Sequence, residues 1–340
     1  MFWITKTKRL GRLLIDFRLR RKQVRGAPFR LWIETASCCN LRCVMCPNKE
    51  LAASQKGLMP LDLFRKIIDE CRSFASDVYL HHRGEPLLNP ALFDMIAYAR
   101  QAGLKTRFHT NGALLDEDKA RRLLIAGPNL VSFSFDGFSK EIYEKIRVGA
   151  VFETTLSNII RLAELRKKQG LPKPYIVIEK IRFKNLPAPA DQRQIVETER
   201  RLRAAGIDEI IEKEEYIWAE ENTPETIAPQ TGAVCTFPWY AAVICADGTV
   251  TPCPQDFHAH MQLGNVNNAT LLEIWNGAAY QNLRRQMTAD LQALALCRKC
   301  DRLCRRTIGG IPLQYMTTFL IDHLAGYGKL RRILGTQERN

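Results

Sequence analysis

Cys39, Cys43 and Cys46 follow one another as C-x3-C-x2-C in the stretch Cys39-Asn40-Leu41-Arg42-Cys43-Val44-Met45-Cys46. Three thiolates this close in sequence can wrap one corner of an iron–sulfur cluster. A [4Fe–4S] cube normally takes four cysteines, so three leave one iron open to a substrate or a second cofactor, as a catalytic zinc keeps one position for chemistry. A zinc knuckle, a redox pair with a spare thiol, or three packed cysteines would use the same residues.

A second group stands far downstream. Cys235, twelve residues, Gly248, four residues and Cys253 are followed after a gap by the pair Cys297-x2-Cys300. Four thiolates with a C-x2-C pair suit zinc or a closed iron–sulfur cluster. Cys71 lies on an apolar helical stripe and reads as core, and Cys38 is offset from the first motif. Cys304 could be a spare or alternative ligand. Cys245 lies in the strand-like Ala241–Ala246 as core or as a hydrogen-atom donor.

The chain has 340 residues, 46% of them hydrophobic, enough for one large and one small domain. Eleven cysteines at metal-type spacings point to a reducing compartment rather than disulfides. No signal peptide and no apolar run long enough to cross a membrane is visible, which predicts a cytoplasmic protein. Of the net charge of +14, residues 1–25 supply eight, with nine Lys or Arg against Asp16. With Phe2, Trp3, Leu10, Leu13, Leu14 and Phe17 they read as a basic helix with one apolar side. It would either lie peripherally on the inner face of a membrane or pack on the domain with its charges in water. Few aromatics interleave with the charges and no RNA-binding motif follows, so no nucleic acid is expected.

The elements that must position the cysteines alternate. Strands are predicted at Leu31–Glu34, Val78–His82, Lys105–His109, Leu130–Phe135, Tyr175–Phe183 and Glu209–Ile211. Helices are predicted at Asp62–Phe74, Pro90–Gly103, Glu117–Ala126, Phe152–Gln169 and, after a link with Pro187 and Pro189, Gln192–Ala205. Short apolar strands between amphipathic helices argue for an α/β fold with a parallel sheet, of six units rather than the eight of a closed barrel. In such sheets chemistry sits at the C-terminal strand ends. The cysteine loop, His81-His82-Arg83-Gly84-Glu85-Pro86, Thr110-Asn111-Gly112 and Asp136-Gly137 all fall there. One of His81 and His82 should face the interior and the other the helices. A basic tail from Ile311 to Leu334 reads as a second amphipathic helix.

The first cysteine motif, with Gly84-Glu85-Pro86 behind the next strand, resembles the radical S-adenosylmethionine (radical SAM) superfamily over about residues 29–215. The resemblance implies a partial (β/α)6 TIM-like barrel in which Cys39, Cys43 and Cys46 bind a catalytic [4Fe–4S] cluster. Its open iron would chelate SAM, whose reductive cleavage yields a 5′-deoxyadenosyl radical. It implies that Gly84, Glu85 and Pro86 hold the SAM amino group, that Ser134 and Arg147 contact its carboxylate, and that Asn111 has a ribose-side or scaffold role. Glycine allows close approach and Arg offers a bidentate fork. Many relatives have glycine where this chain has Arg83.

The second set, with Asp247-Gly248-Thr249-Val250 and Leu272-Glu273-Ile274-Trp275, is similar to the SPASM/Twitch extension. That implies a cysteine-rich domain over 230–310 with one auxiliary [4Fe–4S] cluster on Cys235, Cys253, Cys297 and Cys300. The remaining division is a basic segment over 1–28 and a tail over 311–340. The run Pro252 to Phe257 looks like a single-auxiliary-cluster dehydrogenase of 2-deoxystreptamine biosynthesis, with Asp256 a candidate base. The expected function is hydrogen-atom abstraction from a small polyol, sugar or lipid-linked substrate and its oxidation, with the auxiliary cluster accepting an electron and a flavodoxin or ferredoxin as reductant. Peptide maturation is second, disfavoured because 28 residues before the core are too few for a leader-binding module. Epimerisation finished by Cys245 is third, and an iron–sulfur or zinc scaffold or electron carrier is the non-enzyme alternative.

Overall fold

A computed structural model of the chain describes residues 2–183, 192–215, 218, 235–300, 303, 307–308 and 311–312. The link around Pro187 and Pro189, Cys304 and the tail beyond 312 lie outside the described residues. The described residues fall into two compact units, one built from residues 1–33, 62–78 and 217–330 and the other from 34–61 and 79–216.

The second unit holds β3 (Lys105–Thr110), β4 (Leu130–Ser134), β5 (Tyr175–Arg182) and β6 (Glu209–Glu214), beside the Tyr79 end of β2 (Asp77–Tyr79). Neighbouring strands from β3 to β6 are parallel, with His109 level with Ser132 and Ser134 level with Glu179. The connections are the helices α3 (Leu92–Gln101), α4 (Glu117–Ala126), α6 (Phe152–Lys168) and α7 (Gln192–Ala205), with the shorter α5 (Lys140–Ile146) before α6. Asp116 caps α4 by accepting from Lys119 N–H, and Gly127 ends it in the left-handed region at φ 67°. Phe108, Val131, Phe133, Ile176 and Ile178 are fully buried. Strand residues of the opposite parity carry the polar side chains Arg107, His109, Ser132, Ser134 and Glu179. This is the parallel, helix-covered arrangement of a partial TIM barrel. The predicted bounds of α4 and α7 hold to the residue. Strand β6 runs three residues longer than expected. Helix α5 was not anticipated because seven residues show barely two turns of pattern.

In the first unit α1 (Phe2–Arg18) forms the basic helix. Leu13 and Phe17 are buried, and the Phe17 ring meets Trp239 edge-on at 5.7 Å. Buried Asp16 accepts from Arg21 Nη1 at 3.0 Å and from the N–H groups of Arg25 and Gly26 at 2.8 and 2.7 Å. Trp239 and Trp275 donate their indole N–H to the carbonyls of Arg21 and Gly26, and buried Arg284 donates to those of Pro238 and Lys22. The basic segment is thus packed on the fold, the second of its two predicted readings. Helix α2 (Leu61–Cys71) buries Phe64, Ile67, Ile68 and Cys71, an i, i+3, i+4, i+7 stripe that makes Cys71 core as expected.

Strand β1 (Arg30–Ile33) lies between β2 and β7 (Ala241–Ile244), pairing with β7 in parallel. Antiparallel β8 (Thr249–Thr251) and β9 (Gly264–Asn265) follow. Helix α8 (Phe237–Tyr240) precedes β7; α9 (Leu271–Trp275), opened by a Thr270–Glu273 capping box, and α10 (Ala278–Ala289) close the unit. β10 (Thr307–Ile308) and β11 (Ile311–Pro312) pair in antiparallel. Among the described residues no helix is long and apolar enough to cross a membrane.

Candidate iron–sulfur and cofactor site

The first cysteine loop follows β1 in the chain and is held by contacts from the loop after β2 and from the end of α5 and the turn after it. Glu85 N–H donates to Cys38 C=O at 2.9 Å. Arg42 and Val44 N–H donate to the carbonyls of Val148 and Ile146 at the end of α5. Asn48 Nδ2 donates to both Ser37 C=O and Arg83 C=O, at 2.7 and 2.8 Å. A Cβ on Gly84 would stand 2.3 Å from Cys38 C=O and 2.5 Å from Ala36 C=O. Glycine is therefore required here by close approach to the cysteine loop itself.

Arg83 reaches back to Glu34, at the head of the segment that carries the cysteines. Its Nε and Nη2 each lie 2.7 Å from one oxygen of the fully buried Glu34, a bidentate pair. The arginine fastens the Gly84–Pro86 loop to the start of the segment that leads into the cysteine loop.

Glu85 is buried and its carboxylate is occupied by protein donors: Thr110 Oγ1 at 2.7 Å, Asn111 N–H at 2.8 Å and Leu87 N–H at 3.0 Å. Burial raises its pKa, and those three donors oppose the rise. In this arrangement the carboxylate braces the end of β3. Pro86 opens the following short turn, Pro86–Leu88. Asn111 donates through Nδ2 to Asn40 Oδ1 of the cysteine loop at 2.9 Å.

Arg147, at the C-terminus of α5, is nearly buried. Its Nε lies 2.7 Å and its Nη2 2.6 Å from Asp136 Oδ2, and its Nη1 lies 3.7 Å from Cys43 Sγ. Asp136 Oδ1 accepts from Ile181 N–H at 2.7 Å. Burial disfavours the guanidinium charge, but Asp136 and Cys43 outweigh it and hold the pKa above the usual arginine value. The arginine expected to meet a carboxylate of SAM thus already holds one of the protein's own. Ser134 is half-buried at the end of β4, on the face opposite Phe133.

The three thiols share one field. Burial, with Glu85, Cys43 and Cys46 close by, pushes the Cys39 thiol up to about 12 despite the Leu41 N–H that it accepts. Among the described residues no three His, Cys, Asp or Glu side chains converge on one point as ligands of a single ion would. A cluster asks something different, because each thiolate takes its own iron. Three soft donors with a guanidinium beside one of them fit an anionic iron–sulfur group.

The second set gathers in the first unit. Burial raises the Cys253 thiol, followed by Cys235, Cys300 and Asp256; Cys297 is raised by burial and then by Cys253, Cys235 and Cys300. All four chain positions therefore bear on one another, as four ligands of one group must. Two candidates fare otherwise. Asp256 is fully buried, and its two oxygens accept from His260 and Met261 N–H at 2.8 and 2.9 Å. It closes the loop behind Cys253. Cys245 is 1% exposed in the turn from β7 to β8.

The radical SAM superfamily profile matches residues 33–172 and that of an iron–sulfur cluster-binding domain, SPASM, matches residues 235–301. The chain is 26% identical over 296 residues to a tungsten-containing aldehyde ferredoxin oxidoreductase cofactor-modifying protein of Pyrococcus furiosus, covering 74% of this chain and 81% of that protein. It is 23% identical over 280 residues to the S-adenosyl-L-methionine-dependent 2-deoxy-scyllo-inosamine dehydrogenase of Niallia circulans, covering 81% and 93%. The fold is shared with Streptococcus suis SuiB bound to its precursor peptide SuiA, at a TM-score of 0.59 and 14% identity over 88% of this chain and 77% of that one. With two cysteine sets, each backed by its own domain match, this chain belongs to the radical SAM superfamily, uses a [4Fe–4S] cluster with SAM, and carries a SPASM-type domain for auxiliary iron–sulfur.

Proposed function

We propose that this radical SAM enzyme oxidises a small hydroxylated molecule, a polyol or sugar, with a single auxiliary cluster as electron acceptor. The observation that carries the reading is the composition of the second set. Cys235, Cys253, Cys297 and Cys300 interact with one another, while Cys71 and Cys245 are buried elsewhere in the same unit. Four protein ligands close a [4Fe–4S] cluster, which then exchanges electrons without chelating substrate. The dehydrogenase of Niallia circulans, matched over 93% of its length, supports the same direction.

Bound at the first set, the cluster and SAM supply a 5′-deoxyadenosyl radical for abstraction of a hydrogen atom. The protein's part is to hold and orient. Cys39, Cys43 and Cys46 anchor the cluster; Gly84, Glu85 and Pro86 shape the loop against it, with backbone carbonyls for an ammonium; Asn111 ties the end of β3 to the cysteine loop. Ser134 and the outer edge of Arg147 are the groups for the carboxylate of SAM, Arg147 being shared with Asp136. A reductant of the flavodoxin or ferredoxin class would feed the first cluster.

Peptide maturation is the second reading, favoured by the fold shared with peptide-bound SuiB. One experiment separates the two and tests the first. The anaerobically reconstituted, reduced protein is given SAM, and 5′-deoxyadenosine and iron are measured in the wild type and in the Cys39/Cys43/Cys46→Ala variant. About eight irons falling to about four, with 5′-deoxyadenosine lost, is the expected result, from four irons per cube. Stimulation by polyols supports oxidation, stimulation by peptides alone favours maturation, and no 5′-deoxyadenosine from the wild type refutes both.

A further inference from the structure

The sheet of the second unit carries a polar cluster that none of the cofactor contacts uses. On the face opposite Phe108 and Phe133, the rings of His81 and His109 stack with centroids 4.3 Å apart at 26°. His109 Nε2 lies 3.6 Å from Glu179 Oε1, and Lys213 Nζ lies 2.7 Å from Glu179 Oε2. Tyr79 meets His81 edge-on at 5.8 Å, and Arg107 Nη1 donates to Tyr79 Oη at 3.2 Å. Four strands or strand ends therefore contribute to one row: imidazole, imidazole, carboxylate, ammonium.

Such a row is out of place as mere filling. The interior layers of parallel barrels are dominated by branched apolar residues, and burying charge costs free energy that packing does not return. Nor is the row sealed. The side chains of His109 and Lys213 are 30% and 44% exposed, so the row opens onto space a ligand can enter. Its level is also telling. Glu179 is level with Ser134, and His109 precedes Asn111 by two residues, one strand repeat of roughly 7 Å below the brace at the end of β3. A molecule standing on the row would present its upper atoms at the strand ends where the cysteine loop lies.

The chemistry of the row is specific. His81 Nδ1 accepts from His109 N–H at 3.3 Å, which leaves its Nε2 as the donor. His109 turns Nε2 to the Glu179 carboxylate, which leaves its Nδ1 as an acceptor. Burial lowers both imidazole pKa values, so both are neutral at neutral pH. For Glu179 burial acts the other way, but His109 and Lys213 outweigh it and hold the carboxyl below its usual range, balanced by the ammonium. Donors and acceptors then alternate along a row of no net charge. Adjacent hydroxyls, each both donor and acceptor, match that alternation.

We propose that His81, His109, Glu179 and Lys213 form the substrate-recognition group of this enzyme, and that they take adjacent hydroxyls of a small, uncharged or singly charged polyol. This rests on the reading above that the substrate is a small hydroxylated molecule.

The test is calorimetric binding of scyllo-inositol, myo-inositol and 2-deoxy-scyllo-inosamine to the full, anaerobically reconstituted chain with SAM present. The wild type is expected to bind at least one of them. Glu179→Gln and His109→Asn should bind it about tenfold more weakly or worse, the loss of one hydrogen bond to a charged or buried partner. Lys180→Met, next along β5 and of opposite parity, should bind as the wild type does. Circular dichroism and iron content establish that each variant is folded and loaded; should one be neither, the other decides. Absence of binding by the wild type, or unchanged binding by both variants, overturns the proposal. Formation of 5′-deoxyadenosine is scored separately: its absence sinks the radical reading, while binding still decides the recognition group.

Discussion

Replacing Arg83 by Met removes one partner of a buried ion pair and leaves the other. Glu34 is fully buried, and Arg83 gives it two charge-assisted bonds of 2.7 Å and a backbone N–H at 3.2 Å. Arg83→Met takes away both side-chain donors, so the buried carboxylate loses this counterion and must keep its charge without it or take up a proton at a cost. Single removals of this kind cost about 3–5 kcal/mol, a large share of a typical total of about 5–15 kcal/mol. The double variant Glu34→Gln/Arg83→Met has no stranded charge. It should lose only about 1–2 kcal/mol, the scale of a missing neutral hydrogen bond. The predicted coupling is therefore at least about 2 kcal/mol, read from urea unfolding of the four proteins in a double-mutant cycle. The substitution should also reach the metal site, because the carbonyl of Arg83 holds Asn48 and the next two residues hold the cysteine loop. Iron at the first set should fall in Arg83→Met and recover in the double variant. A single variant that loses less than about 1 kcal/mol, or a double variant as unstable as the single one, would refute the reasoning.

Other expectations follow from the same geometry. Gly84→Ala places a methyl 2.3 Å from Cys38 C=O, so about four irons per chain should be lost while the auxiliary iron remains, measured by iron analysis and electron paramagnetic resonance. Arg147→Met removes a positive group 3.7 Å from Cys43 Sγ and leaves Asp136 behind; the reduction potential of the first cluster should drop, and restoring neutrality with Asp136→Asn should return part of it, followed by redox titration. Asp256→Asn should retain auxiliary iron and leave any pH–rate profile unshifted, whereas a lost ionisation in that profile would restore Asp256 as a base. His82 is held neutral, burial and Arg83 lowering its pKa to about 3. Acidification below about 6.5 protonates the unfolded state first, so stability should fall by up to about 1.4 kcal/mol per pH unit on this account; His82→Gln should flatten urea midpoints between pH 7 and 5.

Much of this site was legible because its parts are punctuated in sequence. The two cysteine sets announce themselves by spacing, and Gly84-Glu85-Pro86, Thr110-Asn111-Gly112 and Asp136-Gly137 each close a strand of the predicted alternation. Helix α4 was placed to the residue because an Asp cap and a left-handed glycine mark its ends. What was illegible is the direction in which these residues point. Glu85 reads as a carboxylate for a ligand, and nothing in its motif shows that three local donors bond it. Asp256 reads as an acid–base group beside a cysteine, yet it closes a turn. Gly84 is needed for an approach to a backbone 46 residues upstream. The parallel pairing of β7 with β1 joins segments that share no local signal. Glu179 and Lys213 belong to no motif; the alternation of β5 and β6 puts them on one face, and only pairing at a known register brings them to His109.

The anchoring of the cysteine loop has a consequence for assembly. Its contacts are made largely by main-chain groups of Cys38, Arg42 and Val44 with Glu85, Val148 and Ile146, and by the side chains of Asn48 and Asn111. Backbone contacts of this kind tolerate side-chain variation in the loop but demand that the ends of β2 and β3 and the turn after α5 be in place first. The loop cannot be preformed ahead of its unit, since its partners come from segments distant in the chain. Burial meanwhile holds the Cys39 thiol near 12, well above the free-thiol value, so the folded loop without metal keeps its proton. Loading a cluster must displace protons from buried thiols, and the positive partner available for the resulting charge is Arg147, already oriented by Asp136. The Asp136–Arg147 pair thus serves the anchored cluster even before SAM is considered, which is why its removal should register in iron content and potential as well as in turnover.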